Sequence, residues 1–239
     1  MAGHSKWAKI KRGKASTDAK RGAIFTKLGN AIALAAKNGG DPDMNPALAL
    51  AIQKAKDANM PNQNIERSIK RGTGELGGAQ IEEIVFEGYG PGSVAVIVET
   101  ATDNRNRTVA DVRTAFTKNG GNMAETGAVA FQFSQKGVIQ VVKSGDDDTD
   151  QLSLIEAGAD DVIDAEQTWE VHCLREQFNA VRKVISDSGL EVVEAGLAYV
   201  PQAVQKIEDE STQNKVMKLL DALDELDDVV ETYTNFEIE

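Results

Sequence analysis

GTGELGG, residues 72–78, sets four glycines in one short run, and the hydrophobic period of the chain changes across it. Before the run, apolar residues recur at helical spacing; after it, they alternate or run on as strands do. Glycine weakens both helices and strands, so the run predicts a linker between a helical segment and a sheet-containing one.

Upstream, three short helices are expected around one small core. The first starts near Thr17 or Asp18 and stops at Gly39–Gly40. Ile24, Leu28, Ile32 and Ala35 form its buried stripe with Phe25 beside them, while Lys20 and Lys27 lie off it. Asn45 followed by Pro46 reads as a cap with proline at the first helical position. That second helix buries Leu48, Ile52 and Ala55 and ends before Met60, which precedes Pro61. Asn62 is expected to cap a third helix through Arg71, closed by Gly72.

Downstream, Ile81–Glu87 and Ser93–Glu99 predict strands joined by the GYGPG turn. VAVIVE is apolar on both faces, which predicts a strand central to a covered sheet. A helix from about Arg107 to Lys118 follows, buried through Val109, Val112 and Phe116; Val129, Phe131 and Phe133 then alternate as a strand. Between Lys136 and Val200, strands are expected at 138–142, 161–164, 168–174 and 191–199, with helices at about 150–157 and 176–188. Ser211 opens a last helix, followed by the strand Val229–Tyr233. That pair is too small for a domain and most simply completes the sheet begun after the linker. The fold class is therefore α+β: a three-helix domain (1–75), a discontinuous α+β domain (79–134 plus 205–239) and an inserted α+β domain (135–204).

Charge divides along the same lines. The chain carries −12 overall. Residues 1–75 hold fourteen Lys/Arg against six Asp/Glu, a balance of +8, so the remaining residues carry −20. Averaged charge argues against a polyanionic partner; local charge argues for one. The first sixteen residues, MAGHSKWAKIKRGKAS, contain Lys6, Lys9, Lys11, Arg12 and Lys14 and no acid. With few apolar groups to offset ordering entropy, this arm is expected to be mobile when free. Trp7 in such an arm is costly unless it stacks or inserts on a partner. Lys and Arg attract phosphates without regard to sequence, whereas Asn, Gln and Arg also read base edges. The second and third helices resemble a helix-turn-helix in outline, with Gln63, Asn64, Arg67, Lys70 and Arg71 crowding the second member; a solvated cationic face on a small bundle is the plainer account. A second polar cluster, Asp103, Asn104, Arg105, Asn106 and Arg107, precedes a helix. Asn106 or Asp103 is expected to cap it, but two arginines at a helix N-terminus oppose the dipole and point to an anionic partner, internal or external.

Bond chemistry finds no support. His4 and His172 are the two histidines, and Cys173 is the single cysteine. His172 and Cys173 are adjacent on a predicted strand, so they face opposite sides and cannot form a nucleophile–base pair. Zinc needs several Cys and His ligands. The run Asp146–Asp150 lacks the glycine and terminal Glu of a calcium loop and reads as a solvated cap, as does Asp221–Asp228. GYGPG has neither the Walker lysine nor a dinucleotide-binding pattern. No cofactor, metal or small-molecule substrate is expected. No apolar run reaches the length of a membrane span, no hydrophobic segment follows the basic start, and one cysteine suits a reducing compartment, so a cytoplasmic protein is expected.

MAGHSKW, DAKRG, FTKL, NMPNQNIERSIKRGTG, FEGYGPG, TDNRNRT and KNGGNMAETGAVAFQF together resemble the YebC/PmpR family over essentially the whole chain. Ala128 stands where the family pattern has Ser. The resemblance implies an N-terminal helical domain and two α/β domains, with the C-terminal segment returning to the middle one. It implies DNA-binding regulation of transcription; mitochondrial and bacterial relatives act instead in translation on the ribosome. His4, Ser5, Lys6, Trp7, Lys9, Lys11, Arg12, Lys14, Lys20, Arg21, Lys27, Asn64, Arg67, Lys70 and Arg71 are accordingly expected to contact nucleic acid, DNA foremost and ribosomal RNA as the alternative. A protein-interaction adaptor acting through the acidic domains is a third reading, favoured by salt-insensitive binding.

Overall fold

The computed structural model describes residues 18–237, with side chains from residue 22 onward. Its helices are α1 (Asp18–Ala36), α2 (Pro46–Asp57), α3 (Asn62–Thr73), α4 (Arg105–Lys118), α5 (Asp147–Glu156), α6 (Phe178–Asp187) and α7 (Glu210–Asp224). Its strands are β1 (Glu82–Tyr89), β2 (Ala95–Thr102), β3 (Asn122–Ala124), β4 (Phe133–Val142), β5 (Asp161–Ala165), β6 (Thr168–Leu174), β7 (Val192–Pro201), β8 (Gln205–Lys206), β9 (Val229–Thr234) and β10 (Phe236–Glu237). The fold is α+β. Described residues up to Ala130, with Ile207–Thr234, form one compact unit; Phe131–Lys206 with the residues from Asn235 form another.

In the first unit, α1, α2 and α3 enclose Ile32, Ala36, Leu48, Ala55, Met60 and Ile65, with Leu28, Ile52 and Ile69 packed against them. Ile24 departs from the expected stripe, being 42% exposed. Asn45 couples two helices. Its Oδ1 accepts from the Leu48 N–H at 3.2 Å, while its Nδ2 donates to the carbonyls of Ala35 and Gly39, both at 2.8 Å. Asn62 is the first helical residue of α3 rather than its cap, the cap position belonging to Pro61. Gly72 does not close α3. It lies inside the helix, where a Cβ would sit 2.2 Å from the Ala33 carbonyl oxygen. Its smallness lets α3 press against α1, and the helix closes at Gly74, whose φ of 83° is left-handed.

The first sheet has the order β3-β1-β2-β9, antiparallel throughout. β2 is internal and buried on both faces, with Ala95 to Val98 wholly inaccessible. The β1–β2 strands begin and end slightly later than expected. At the turn, the Gly90 N–H donates to the Val94 carbonyl at 2.7 Å. α4 and α7 pack on this sheet and on each other, and α1 lies against β2 and β9 through Ala33, beside Ile81 and Ala101. The three helices and the first sheet share one compact unit. Lys37 donates to the Ile81 carbonyl at 2.9 Å, bridging the run from α1's end.

The expected strand at Val129–Phe133 is a correction. Ala130–Gln132 form a short 3-10 turn, Phe131 is 69% exposed, and β4 starts at Phe133. The cause is Glu87, buried in β1. Its carboxylate accepts the N–H groups of Gly127 (2.6 Å), Val129 (2.7 Å) and Ala130 (2.8 Å), which a strand ladder would otherwise use.

The second unit runs β4-α5-β5-β6-α6-β7, with sheet order β5-β6-β4-β7 and every pairing antiparallel. This is the ferredoxin-like split βαβ arrangement. Trp169, Val171 and Cys173 alternate along β6 with Thr168, Glu170 and His172. The odd-numbered set faces α6: a Cβ on Gly137 would meet both Cys173 Sγ at 2.6 Å and Phe178 at 2.7 Å. Asp146 caps α5, and Asp150 is buried, accepting from the Ser144 N–H at 2.8 Å and Trp169 Nε1 at 3.2 Å. This acidic run therefore caps and braces a helix. β8 and β10 form a short parallel pair.

Candidate nucleic-acid interface

α3 sorts its residues by the helical period. Ile65 and Ser68 turn inward, with Ile69 partly buried beside them, while Gln63, Asn64, Arg67 and Lys70 are exposed. The exposed set reaches along the helix at spacings of three and four, so a single face presents amides and cations together, with one acid, Glu66, among them. This face can donate to phosphate oxygens and, through Asn64 and Arg67, to base edges.

Two expected phosphate-binding residues turn inward instead. Arg71 Nη2 donates to Asn30 Oδ1 and to the Gly29 carbonyl at 3.3 Å, fastening α3 to α1. Burial lowers the pKa of this guanidinium, with nearby Asp103 opposing the shift. Lys27 Nζ donates to the Asp224 carbonyl at the end of α7, where the helix dipole favours a cation. Both are drawn inward by acceptors set by the tertiary fold. His4, Ser5, Lys6, Trp7, Lys9, Lys11, Arg12 and Lys14 lie outside the described residues, as do the side chains of Lys20 and Arg21.

The polar cluster before α4 has an internal anion. Asn104, rather than Asn106 or Asp103, caps the helix by accepting from the Arg107 N–H at 3.1 Å. Arg107 Nη2 lies 2.8 Å from Asp228 Oδ2 and 3.1 Å from Asp103 Oδ1. Its hydrogen bond to Asp228 raises the guanidinium pKa. Thr102 and Thr108 hydroxyls donate to the same Asp228 oxygen at 3.1 and 2.8 Å. Asp103, Asn104, Arg105 and Asn106 are exposed. Asp103 and Arg107 of this cluster and Arg71 of α3 line one cavity of about 530 Å³, together with Asn30 and Asp228. Neither Asn30 nor Asp228 stands out in the sequence: the acidic run 221–228 reads as solvated, and nothing local marks its last member as buried.

His172 and Cys173 do occupy opposite faces of β6. Burial pushes the Cys173 thiol pKa up, away from the thiolate needed for reactivity. Among the described residues, no group of three or more His, Cys, Asp or Glu is placed to hold a metal ion, and no helix is long and apolar enough to cross a membrane.

Comparison with known proteins places these features in a group. A family model described as the TACO1/YebC protein N-terminal domain matches residues 5–75, and one described as the TACO1/YebC second and third domain matches residues 81–236. A protein of Halothermothrix orenii named "Probable transcriptional regulatory protein" is 51% identical over 242 residues, covering 100% of this chain and 96% of its own. One of the same name from Persephonella marina is 52% identical, covering 100% and 96%. The crystal structure of a conserved hypothetical protein from Aquifex aeolicus shares 45% identity and a TM-score of 0.89, covering 98% of this chain and 97% of that one. With both family models matched in order along the chain, it belongs to the TACO1/YebC family.

Proposed function

We propose that this protein is a non-enzymatic regulator of transcription that binds DNA through its basic N-terminal segment and the exposed face of α3. The observation that carries the reading is the sorting of cations on α3: Arg67 and Lys70 stand exposed beside Asn64 while Arg71 is spent on internal packing. The arm supplies most of the +8 balance of residues 1–75, to which α3 adds its exposed cations. Phosphates would be held by Lys6, Lys9, Lys11, Arg12, Lys14, Lys20 and Arg21, Trp7 would stack, and α3 would add amide and guanidinium contacts. The names of the relatives from Halothermothrix orenii and Persephonella marina support a regulatory role in transcription. The acidic remainder opposes phosphates and limits indiscriminate coating. Crosslinking in cells, followed by sequencing of both bound DNA and bound RNA, tests the reading. Enrichment of discrete DNA sites is expected; recovery of ribosomal RNA without DNA would overturn it.

A further inference from the structure

The face of the second sheet away from α6 carries a polar chain that nucleic-acid binding does not use. The Thr168 hydroxyl donates to Gln140 Oε1 at 3.0 Å, Gln140 Nε2 donates to Glu170 Oε2 at 2.7 Å, and Glu170 Oε1 lies 2.9 Å from His172 Nε2. Glu170 and His172 are each 4% exposed. Burying such a pair is expensive, and apolar residues of similar volume commonly stabilise a fold as well or better. The fold alone does not call for this chain.

It ends at a cavity of about 310 Å³, at the small end of the range for ligand pockets, about 300–1,000 Å³. Strand register sets the layout. Asp161 on β5 stands directly across from His172, and Val138 stands across from it on the other side, in β4. Lys136 is two residues from Val138 and so shares its face. Asp161 is therefore about one strand spacing of 4.8 Å from His172, while Lys136 lies diagonally across from it, further along β4. The Lys136 ion pair with Asp160 is loose, at 3.9 Å, which leaves the ammonium available to a closer anion. Ile163, Val200 and Val204 supply an apolar wall.

We infer that this cavity binds an aliphatic α-amino acid. Lys136 meets the ligand carboxylate, Asp161 meets its ammonium, the held His172–Glu170 pair forms the floor, and the hydrocarbon lies on Ile163, Val200 and Val204. A simple carboxylate or a simple amine would leave one wall charge desolvated and unmatched, so each half-ligand is discriminated against. This site does not depend on the nucleic-acid reading.

Isothermal titration of the full-length protein tests it, using L-leucine, L-isoleucine and L-valine, with isovalerate and isoamylamine as ligands lacking one charge. At least one amino acid should bind saturably with one site, and each half-ligand should bind about tenfold more weakly or worse. Lys136→Met and Asp161→Asn, both at partly exposed positions, should each weaken binding by about tenfold, with the folded state checked by circular dichroism. Absence of saturable binding of all three amino acids to the unaltered protein at millimolar concentration overturns the inference without reference to any variant. So does binding that both substitutions leave unchanged in folded protein.

Discussion

Arg107 grips Asp228 across 121 residues of sequence, with Nη2 at 3.0 and 2.8 Å from the two carboxylate oxygens and Nε at 3.2 Å from one of them. The pair joins the first turn of α4 to the residue before β9. It also accounts for an arginine at a helix N-terminus, where the dipole alone disfavours one: the opposing anion is internal. The partners are unequal. Asp228 is buried and also accepts from Thr102 and Thr108, whereas the Arg107 side chain is 48% exposed. Asp228→Ala should therefore cost about 3 kcal/mol, by leaving buried donors unmatched, and Arg107→Ala about 1 kcal/mol. Urea unfolding of both variants checks the order; equal small losses would count against it.

Glu87 holds the 127–130 loop by accepting three backbone N–H groups. Glu87→Ala removes all three acceptors and should cost about 3 kcal/mol. Hydrogen exchange should show the Val129 and Ala130 amides losing protection well before those of β2. Protection unchanged at these two amides would mean that the loop is held by something else.

At Gly72, helix propensity and packing pull in opposite directions. Alanine at an exposed helical position gains about 1 kcal/mol over glycine. Here its Cβ would fall 2.2 Å from the Ala33 carbonyl and 2.7 Å from the Ala36 Cβ, so α3 must move off α1. Gly72→Ala should lower stability by about 2 kcal/mol and reduce the melting temperature. A rise in melting temperature would show that Gly72 acts as a simple helix-weakening residue.

Stability should also carry a pH signature from Glu99. Burial raises its pKa from 4.5 to about 7, although the Tyr233 hydroxyl, donating at 2.9 Å, favours the charged form. A carboxyl with a raised folded-state pKa binds its proton more tightly when folded. Its contribution is thus full below pH 4.5 and is lost as the pH rises through about 7. Glu99→Gln should flatten the decline in stability between those values, and denaturant midpoints measured across that range provide the check. An unaltered slope would assign the decline to other groups.

Much of the architecture is legible in the sequence because it rests on local pattern. Asn45–Pro46 marks the start of α2, and the two apolar faces of residues 94–98 mark β2 as internal. The rest depends on partners distant in sequence. Gly72 reads as a linker glycine because nothing local reveals that Ala33 will lie against it. Arg71 and Lys27 read as phosphate-binding residues because their acceptors, Asn30 and the Asp224 carbonyl, arrive only with the tertiary fold. The Val129–Phe133 alternation fails because Glu87, about forty residues earlier, takes the amides first. On α3 the helical period alone is enough to place Asn64, Arg67 and Lys70 outward.

The central claim is that cations of the N-terminal segment and α3 carry the affinity for nucleic acid. Fluorescence anisotropy of the full-length protein against one labelled DNA duplex, at several salt concentrations, measures this directly. Two variants are compared with the unaltered chain: Lys9, Lys11, Arg12 and Lys14 replaced by Gln, and Arg67 and Lys70 replaced by Gln. Each should bind more weakly, with the dependence of log affinity on log salt falling by about 0.9 for each phosphate that the variant no longer neutralises. Affinity and salt slope unchanged in both variants would contradict the account.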